Sequence, residues 1–387
     1  MLLTSADPSH SGRGTEALAL YIHWPFCVSK CPYCDFNSHV RAHIDEAAWR
    51  DALLADLAAE ARITPGRRVH SIFFGGGTPS LMAPATVGAI IDAAAKLWGV
   101  DETCEITLEA NPSSVEAARF AGFASAGVGR VSLGLQALDD AALKVLGRPH
   151  DVAQGLAALD IAQANFARVS FDLIYDRPAH TVEAWSAELA RALSFGTEHL
   201  SLYQLTIEAG TRFAVEHAAG RLRTPDAETS ADLFDLTQDM TEAANLPAYE
   251  TSNHGVPSRH NLSYWTYGDY VGVGPGAHGR RGGVATVRHK KPENWLAAIA
   301  RGDAIAEIQD LPPATRATEA LLMGLRLTQG IDRAAFARRT GIALADAVDG
   351  AAVTRLAGLG LIVSDPNGLR LTRAGRPLVN AVLREIA

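Results

Sequence analysis

Three cysteines close together near the start of the chain constrain this sequence more than any other feature. Cys27, Cys31 and Cys34 stand in C-x₃-C-x₂-C order, and the apolar segment 17–23 before them predicts a β-strand. The cysteines would therefore lie on the loop that leaves a first strand. Because cysteine sulfur is the usual ligand of iron–sulfur clusters, three thiolates here can hold three irons of a [4Fe–4S] cube. The fourth iron would then be open to a ligand from outside the protein.

Two other uses of clustered cysteines fit the sequence less well. Zinc sites usually have four ligands, commonly in two C-x₂-C pairs, but the chain has only one further cysteine, Cys104. Cys104 lies in the apolar segment 104–108, which predicts a buried strand where a cysteine is a small core residue. Disulfides are disfavoured because three of the four cysteines are crowded into eight residues. The spacing therefore favours a [4Fe–4S] cluster.

Size and composition predict a globular cytoplasmic protein. The 387 residues allow two or three domains, and 48% of them are hydrophobic and 20% charged. The net charge of −8 argues against a general nucleic-acid binder. No apolar run has the length of a membrane span, and the first residues lack the regions of a signal peptide. A reducing cytoplasm would also suit the cluster.

Strands and helices alternate six times after the polar stretch 1–16, which we expect to be a flexible tail. The predicted strands cover 17–23, 69–74, 104–108, 130–135, 168–175 and 199–205. Helical patterns lie between them, the clearest over 45–62, 84–98 and 151–166. This alternation requires parallel strands with right-handed crossovers, and hence an α/β fold. Such folds place their sites at the carboxyl ends of the strands.

A glycine-rich loop follows the second predicted strand. Gly75, Gly76 and Gly77 precede Thr78 and Pro79. Three residues without side chains can present backbone groups to the ammonium and carboxylate of a ligand at close range. A tight turn alone would explain the glycines equally well, but the neighbouring cysteine loop favours a ligand site.

The cysteine motif, with Tyr33 directly before its last cysteine, and the glycine loop together resemble the radical S-adenosylmethionine (SAM) proteins. The resemblance implies an open (β/α)₆ partial TIM barrel over 17–250 and SAM chelated to the open iron through its amino and carboxylate groups. It implies contacts with SAM from Tyr21, Tyr33, Gly77, Thr78, Glu109, Gln136, Arg148 and Asp172.

The chemistry of these residues agrees in part with such a site. An arginine such as Arg148 can pair with a carboxylate, and Asp172 can accept hydrogen bonds from ribose hydroxyls. Asp172 can equally be a polar residue of the barrel interior, and Gln136 a turn residue.

Within that superfamily the whole chain resembles oxygen-independent coproporphyrinogen III oxidases and the related HemW heme chaperones. Two differences from the oxidases favour the chaperones. Phe36 stands where the oxidase motif has a further cysteine, and only 26 residues precede Cys27. The segment 260–265, with His260, Asn261, Tyr264 and Trp265, resembles the H-N-x-x-Y-W motif of the chaperones, whose histidine is implicated in heme binding. Neutral imidazole is a common ligand of heme iron, although a loop histidine beside an aromatic core pair is the simpler interpretation.

Two further segments complete the predicted organisation. Segment 251–311 contains that motif and the Gly-rich stretch 271–279, which we expect to close the site. Residues 312–387 show three helices, a hairpin with a Pro-Asn-Gly turn and a last helix from 372, which predicts a winged-helix-like α+β module. The module carries ten arginines and six acidic residues, a charge of +4 against −12 elsewhere. DNA binding would be one role, but the acidic chain favours a module that caps the barrel, with no nucleic-acid partner.

The resemblance implies a chaperone that binds heme beside a [4Fe–4S] cluster and SAM. It would deliver heme to an apo-hemoprotein client such as a respiratory enzyme at the membrane, which it would reach through protein contacts. A homodimer is compatible with this role. One alternative is an oxygen-independent coproporphyrinogen III oxidase, in which a SAM-derived radical starts the oxidative decarboxylation to protoporphyrinogen IX. Another is a related radical SAM C-methyltransferase. All three functions share the SAM site, and only the chaperone needs His260.

Overall fold

Six parallel strands form the centre of the structure, a computed structural model that describes residues 17–387; the predicted tail over 1–16 lies outside the described residues. The strands are β1 (Ala17–Trp24), β2 (Arg68–Gly76), β3 (Val100–Ala110), β4 (Arg130–Gln136), β5 (Arg168–Tyr175) and β6 (His199–Gln204). Each pairs in parallel with the next along the chain. All six strands that the alternation predicts are therefore present, and β3 alone begins four residues earlier than expected.

Helices connect these strands and cover the outer face of the sheet. They are α1 (Glu46–Ile63), α2 (Pro84–Trp98), α3 (Ser114–Ala117), α4 (Phe120–Ser125), α5 (Asp140–Val145), α6 (Val152–Asn165), α7 (Val182–Leu193), α8 (Arg212–Ala218) and α9 (Ala227–Ala243). Asp45 caps α1, Thr181 caps α7, and Asp151 forms a capping box with Gln154 at the start of α6. Because these caps satisfy free N–H groups of the first turn, they fix where each helix begins.

The strands separate an apolar outer layer from a polar interior. Leu18, Leu20 and Ile22 of β1 belong to the hydrophobic core. Successive side chains of a strand face opposite sides of the sheet, so Tyr21 and His23 face the inside of the barrel. The same alternation along the other strands fills the barrel interior with polar side chains and places the apolar ones under the helices.

The barrel is open. Beyond β6 lies the antiparallel β7 (Asn253–Gly255), and after α10 (Arg259–Trp265) the chain returns to pair β8 (Tyr270–Val273) in parallel with β1. The sheet continues antiparallel through β9 (His278–Arg281), β10 (Val284–Arg288) and β11 (Ile305–Asp310), with α11 (Pro292–Ile299) before β11. The strand order is β11-β10-β9-β8-β1-β2-β3-β4-β5-β6-β7, and its two ends do not pair within the described sheet. The predicted open α/β barrel is confirmed.

A buried ionic group ties the antiparallel strands to α1. Arg288 is 1% exposed and binds Asp56 at 3.1 Å and Glu60 at 2.6 Å, both of which lie on α1. Arg281 binds the same Glu60 at 2.6 Å, and Asp56 also accepts the N–H of Gly274 at 3.1 Å. Removal of one partner would leave a buried charge unpaired. This group therefore holds the Gly-rich segment 271–279 beside the end of β1.

The C-terminal part has its own core and its own sheet. It contains α12 (Pro313–Gly324), β12 (Ile331–Asp332), α13 (Arg333–Thr340), α14 (Gly350–Gly358), β13 (Ile362–Ser364), β14 (Gly368–Leu371) and α15 (Val379–Ile386). Leu321, Phe336 and Leu383 pack in its core. The last helix begins at Val379 and not at the predicted 372, because Gly375 and Pro377 interrupt the pattern. None of the described helices is long and apolar enough to cross a membrane.

Candidate cofactor-binding site

A cavity of 470 Å³, which we call the cluster cavity, opens at the carboxyl ends of the parallel strands. Its walls include all three cysteines of the motif and seven of the eight positions predicted to contact SAM: Cys27, Cys31, Cys34, Tyr33, Gly77, Thr78, Glu109, Gln136, Arg148 and Asp172. Small-molecule sites usually have volumes of about 300–1,000 Å³. The fold thus gathers these residues at one place of suitable size.

The cysteine thiols have hydrogen-bond donors beside them. Thr78 Oγ1 donates to Cys27 Sγ at 3.4 Å, and Arg148 Nη1 donates to Cys31 Sγ at 3.5 Å. Burial raises the pKa of the Cys27 and Cys34 thiols, and donors to sulfur favour the thiolate that a cluster iron requires. Among the described residues, no three His, Cys, Asp or Glu side chains are grouped closely enough to hold a single metal ion. Three thiols around one cavity fit three irons of a [4Fe–4S] cube, whereas a structural zinc site usually takes four ligands.

Arg148 is held in a fixed orientation at the cavity wall. Its Nη2 donates to Asn111 Oδ1 at 2.6 Å and to the Gly134 carbonyl at 2.8 Å. Its Nε is buried and has no partner within the described chain. A buried donor without an acceptor costs free energy, so this nitrogen fits a ligand that brings a carboxylate. A Cβ on Gly134 would lie 2.8 Å from Gln136 Nε2 and 3.2 Å from Arg148 Nη2, so the glycine leaves room for both side chains.

Two carboxyl groups, from Glu109 and Asp172, line the same cavity. Burial and, to a smaller extent, the nearby Asp172 raise the pKa of Glu109 to about 8. Burial raises the pKa of Asp172 to about 6. Glu109 accepts the N–H of Gly76 at 3.3 Å, and Asp172 accepts from Ser132 Oγ at 3.3 Å. Because a cation nearby would stabilise the ionised carboxylates, this wall fits the ammonium and sulfonium groups of SAM.

The glycine loop is shaped by close approach to the end of β1. Gly76 has φ +109°, and a Cβ on Gly77 would lie 2.7 Å from the carbonyl oxygen of Phe26. The Gly77 N–H donates to Trp24 at 2.7 Å, and the Thr78 N–H donates to Phe26 at 2.8 Å. These two donors are therefore already engaged within the protein. Carbonyl oxygens of the loop remain compatible with a ligand ammonium.

Tyr21 is not among the residues that line the cluster cavity. It lies deeper in the barrel, beside a second cavity of 150 Å³ that we call the lumen cavity. Its hydroxyl lies 3.0 Å from His23 Nδ1, and His23 Nε2 lies 2.9 Å from the carbonyl oxygen of Asn37. The Asn37 amide in turn donates to the carbonyls of Pro275 and Lys290, both at 2.9 Å. Tyr21 thus supports the cluster loop, which the Gly-rich segment holds from the other side.

His260 lies inside the barrel and is 2% exposed. Its Nδ1 lies 3.1 Å from Ser71 Oγ, its Nε2 lies 2.8 Å from the Tyr264 hydroxyl, and its ring stacks on Phe73. Burial lowers the pKa of His260 to about 3, so the imidazole is neutral. The lumen cavity beside it is smaller than the roughly 300 Å³ of the smallest usual ligand sites. In this conformation both ring nitrogens are engaged, and coordination of heme by Nε2 would require the contact with Tyr264 to break.

The sequence analysis did not single out two residues that organise the cluster cavity. Asn111 accepts from Arg148 and donates to Thr78 Oγ1 at 3.0 Å, so it links two predicted SAM contacts. Gly134 leaves room for the side chains of Gln136 and Arg148. Asn111 directly follows β3, and a glycine within an apolar strand indicates close approach of another group. Both signals are visible in the sequence.

Comparison with known proteins shows the family. The Radical SAM superfamily matches residues 21–197, and the HemN C-terminal domain matches residues 311–378. The heme chaperone HemW of Haemophilus influenzae is 37% identical over 82% of this chain and 85% of its own length. HemW of Mycobacterium tuberculosis is 33% identical over 96% of this chain and 95% of its own length. The chain belongs to the HemW-like radical SAM family.

Other comparisons agree with membership of the HemW-like family. The mitochondrial radical S-adenosyl methionine domain-containing protein 1 of Bos taurus is 40% identical over 84% of this chain and 77% of its own length. The solved structure of coproporphyrinogen III oxidase (HemN) from Escherichia coli aligns with a TM-score of 0.81 at 21% identity, covering 97% of this chain and 91% of that one. This likeness confirms the predicted fold, including the C-terminal part. The superfamily implies a [4Fe–4S] cluster and SAM, which the residues of the cluster cavity fit.

Proposed function

We propose that the protein is a heme chaperone that carries a [4Fe–4S] cluster and SAM and delivers heme to an apo-hemoprotein. The observation that carries the proposal is the similarity to HemW proteins over nearly the whole chain. The cluster cavity, lined by three thiols and a braced arginine, supports the part of the proposal that concerns the cluster and SAM. The client would be a protein such as a respiratory enzyme. The chaperone would act in the cytoplasm and reach the membrane only through that client.

In this proposal each wall of the cluster cavity has a distinct task. Cys27, Cys31 and Cys34 hold the cluster, which supplies an open iron for the amino and carboxylate groups of SAM. Arg148 binds the carboxylate of SAM through its unpartnered Nε, and Glu109 accepts its ammonium. The other predicted contacts complete the site: Gly77 and Thr78 at the methionyl part, Asp172 at the ribose, and Tyr33 and Gln136 along the wall.

Phe36 favours a chaperone over an oxidase. Its side chain is 60% exposed and lies at the rim of the cluster cavity. A phenyl ring cannot ligate iron, so the additional cysteine of the oxidases has no equivalent in this place. An exposed aromatic ring at the mouth suits contact with another apolar surface.

We propose a separate role for each of the segments that the sequence predicts. Residues 17–250 would hold cluster and SAM, 251–311 would close the barrel, and 312–387 would cap it. The polar barrel interior and the closing segment meet at α10, which carries His260.

The test uses full-length protein reconstituted with its cluster under anaerobic conditions and divided into two samples. One is titrated with hemin while the Soret band is followed. The other receives coproporphyrinogen III, SAM and reductant, and its products are separated. We expect saturable hemin binding and no protoporphyrinogen. Decarboxylated product would instead identify an oxidase, and the absence of saturable hemin binding would refute the chaperone.

A further inference from the structure

Asn37 lies where the cysteine loop returns to the barrel. The loop begins after Phe26 and ends before His39, and these two residues pair in a short parallel ladder. Asn37 stands just before this pair and three residues after Cys34, the last cysteine of the motif. Since the ladder closes the base of the loop, a contact made by Asn37 constrains the end of the loop that carries Cys34.

The side-chain amide of Asn37 donates to two backbone carbonyls of a segment that is distant in the chain. Its Nδ2 lies 2.9 Å from the carbonyl oxygen of Pro275 and 2.9 Å from that of Lys290. Because both carbonyls only accept hydrogen bonds, the atom between them must be the nitrogen. The amide oxygen then lies 3.1 Å from His39 Nε2. Segment 271–290 is therefore fastened to the cysteine loop through one amide group.

The backbone of Asn37 is held from the barrel interior. Its carbonyl oxygen lies 2.9 Å from His23 Nε2, and His23 Nδ1 lies 3.0 Å from the Tyr21 hydroxyl. Because a carbonyl only accepts, Nε2 carries the proton of this contact. Asn37 is thus fixed on two sides, by β1 through its backbone and by segment 271–290 through its side chain.

Gly276 provides the space for this amide. A Cβ on Gly276 would lie 2.4 Å from Asn37 Nδ2, far closer than such atoms approach in proteins. Gly276 has φ +75°, and its N–H donates to the His289 carbonyl at 3.0 Å. The turn therefore brings its backbone close to the amide, and a side chain at Gly276 would displace Asn37.

This contact lies behind the wall of the cluster cavity. None of the residues 271–290, all of which the structure describes, lines that cavity. Asn37 does not line it either, whereas its neighbours Phe36 and Ser38 do. Ser38 Oγ lies 4.0 Å from Cys34 Sγ. Asn37 can therefore influence a cluster only through the position of the loop.

We propose that Asn37 is a positioning residue that couples the cysteine loop to segment 271–290. Its amide fixes the end of the loop, and with it Cys34 and Ser38, before a cluster binds. A site that is held in place beforehand loses less entropy on binding. Because coupling between two regions is reciprocal, a bound cluster in turn orders segment 271–290. The proposal rests on the cluster of the function proposed above and does not involve heme.

The first experiment measures the loss of iron from the anaerobically reconstituted, full-length protein to an excess of a ferrous chelator. Asn37→Asp keeps the size of the side chain but places an oxygen opposite the two carbonyls. We expect iron to be lost about tenfold faster than from the wild type, since two hydrogen bonds are replaced by repulsion. A side chain that only fills space would instead give the wild-type rate.

Asn165→Asp is the matched control for this change. Asn165 ends α6, and its amide also donates to a backbone carbonyl, that of Ile161 at 2.8 Å. It does not line the cluster cavity. This variant should lose iron at the wild-type rate.

Two glycines provide a second pair of variants. Gly276→Ala displaces the amide without a change of Asn37 itself. Gly302→Ala is its control, because Gly302 has φ +76° and a Cβ there would meet nothing within 4 Å. Both substitutions carry the same backbone strain, so only Gly276→Ala should speed the loss of iron.

Hydrogen exchange of the backbone amides tests the coupling itself. In the wild type, cluster loading should slow exchange in segment 271–290 as well as in the loop. In Asn37→Ala the loop should still respond to the cluster, and segment 271–290 should not. A merely structural role of Asn37 would change exchange in the cluster-free protein but leave this response in place.

The failures of the coupling and of the proposed function are distinguishable. The coupling would be overturned, with the cluster intact, if Asn37→Asp and Gly276→Ala retained iron like the wild type. The same conclusion would follow if segment 271–290 ignored cluster loading in the wild type, or responded equally in Asn37→Ala. A wild type that binds no cluster would overturn both.

Discussion

The cluster cavity and the lumen cavity differ in how far their polar groups are already engaged. Arg148 in the cluster cavity is braced by Asn111 and by the Gly134 carbonyl, and its spare donor is buried. His260 beside the lumen cavity has both ring nitrogens engaged, one by Ser71 Oγ and one by the Tyr264 hydroxyl. A preorganised donor without a partner loses little entropy when it binds a resident cofactor, whereas a ligand of His260 would first have to break a buried contact. The cluster cavity is therefore better prepared to hold a ligand than the lumen cavity.

Substitution of the motif cysteines should have the largest effect, and this effect concerns the cluster cavity. Replacement of Cys27, Cys31 or Cys34 by alanine should abolish the brown absorbance and the bound iron and sulfide, because each thiolate would hold one iron of the cube. Cys104→Ala is the matched control, since Cys104 packs against the barrel core away from the cavity. Iron and sulfide analysis of the anaerobically reconstituted variants measures this. Full cluster content in all three motif variants would refute the cluster.

His260 distinguishes support inside the barrel from heme coordination. His260→Ala should lower the free energy of unfolding by roughly 2–4 kcal/mol, because Ser71 and Tyr264 lose a buried partner. Tyr264→Phe, which removes one hydroxyl, should cost about 1 kcal/mol. Denaturant unfolding measures both. A His260→Ala protein of unchanged stability that no longer binds hemin would instead identify the histidine as the heme ligand that the family resemblance implies.

Substitution of Arg148 tests whether its fixed guanidinium contributes to SAM binding. Arg148→Lys keeps the charge but removes the planar set of donors, so the SAM dissociation constant of the cluster-loaded protein should rise at least about tenfold. Arg191→Lys on the exposed side of α7 provides the control. Isothermal titration with SAM gives the constants. Equal affinities in the two variants would show that Arg148 does not bind SAM.

Glu109 should produce the smallest effect, visible as a pH dependence of stability. Its pKa is raised to about 8 in the fold, so the unfolded chain releases this proton at a lower pH than the folded one. Stability from this group is therefore full below pH 4.5 and declines as the pH rises towards 8. The carboxyl group of Glu109 is buried, but the residue as a whole is partly exposed at the cavity wall. Because solvent at this wall screens part of the effect, we expect a decline of roughly 1–2 kcal/mol.

Glu109→Gln should remove this part of the pH dependence and retain an acceptor for the Gly76 N–H. Thermal unfolding of the cluster-loaded protein without SAM, between pH 5 and pH 8, makes the comparison. Glu102→Gln, an exposed change on the same strand, should follow the wild type. Identical slopes in all three proteins would show that Glu109 is ionised throughout.

Local patterns predicted the barrel, the cysteine loop and the glycine loop, because each is a contiguous signal and the carboxyl ends of parallel strands meet at one edge of the sheet. Glu109, Gln136, Arg148 and Asp172 of the cluster cavity were implied only by the resemblance to a known family. The sequence does not show how deep along the barrel axis a residue lies. The family resemblance implies that Tyr21 contacts SAM and that His260 binds heme, and tertiary packing places both residues beside the lumen cavity.

The space of 610 Å³ between the end of α10 and the C-terminal part could not be predicted from the sequence. Trp265, Phe336 and Arg370 lie far apart in the chain, and no motif joins them. They meet because α10 packs against α12 of the C-terminal part. Hydrophobic periodicity indicated each helix, but it does not show which faces of separate cores will leave a space between them.

The proposal that one chain carries a cluster, SAM and heme is tested most directly by electron paramagnetic resonance of the reduced, cluster-loaded protein, titrated first with SAM and then with heme. Ferrous heme contributes no signal under these conditions, so the cluster is observed alone while the heme absorbance reports binding. The proposal predicts that SAM alters the cluster signal and that one equivalent of heme then binds without reversing the change. Heme that displaces SAM or the cluster, or that does not bind at saturation, would contradict it.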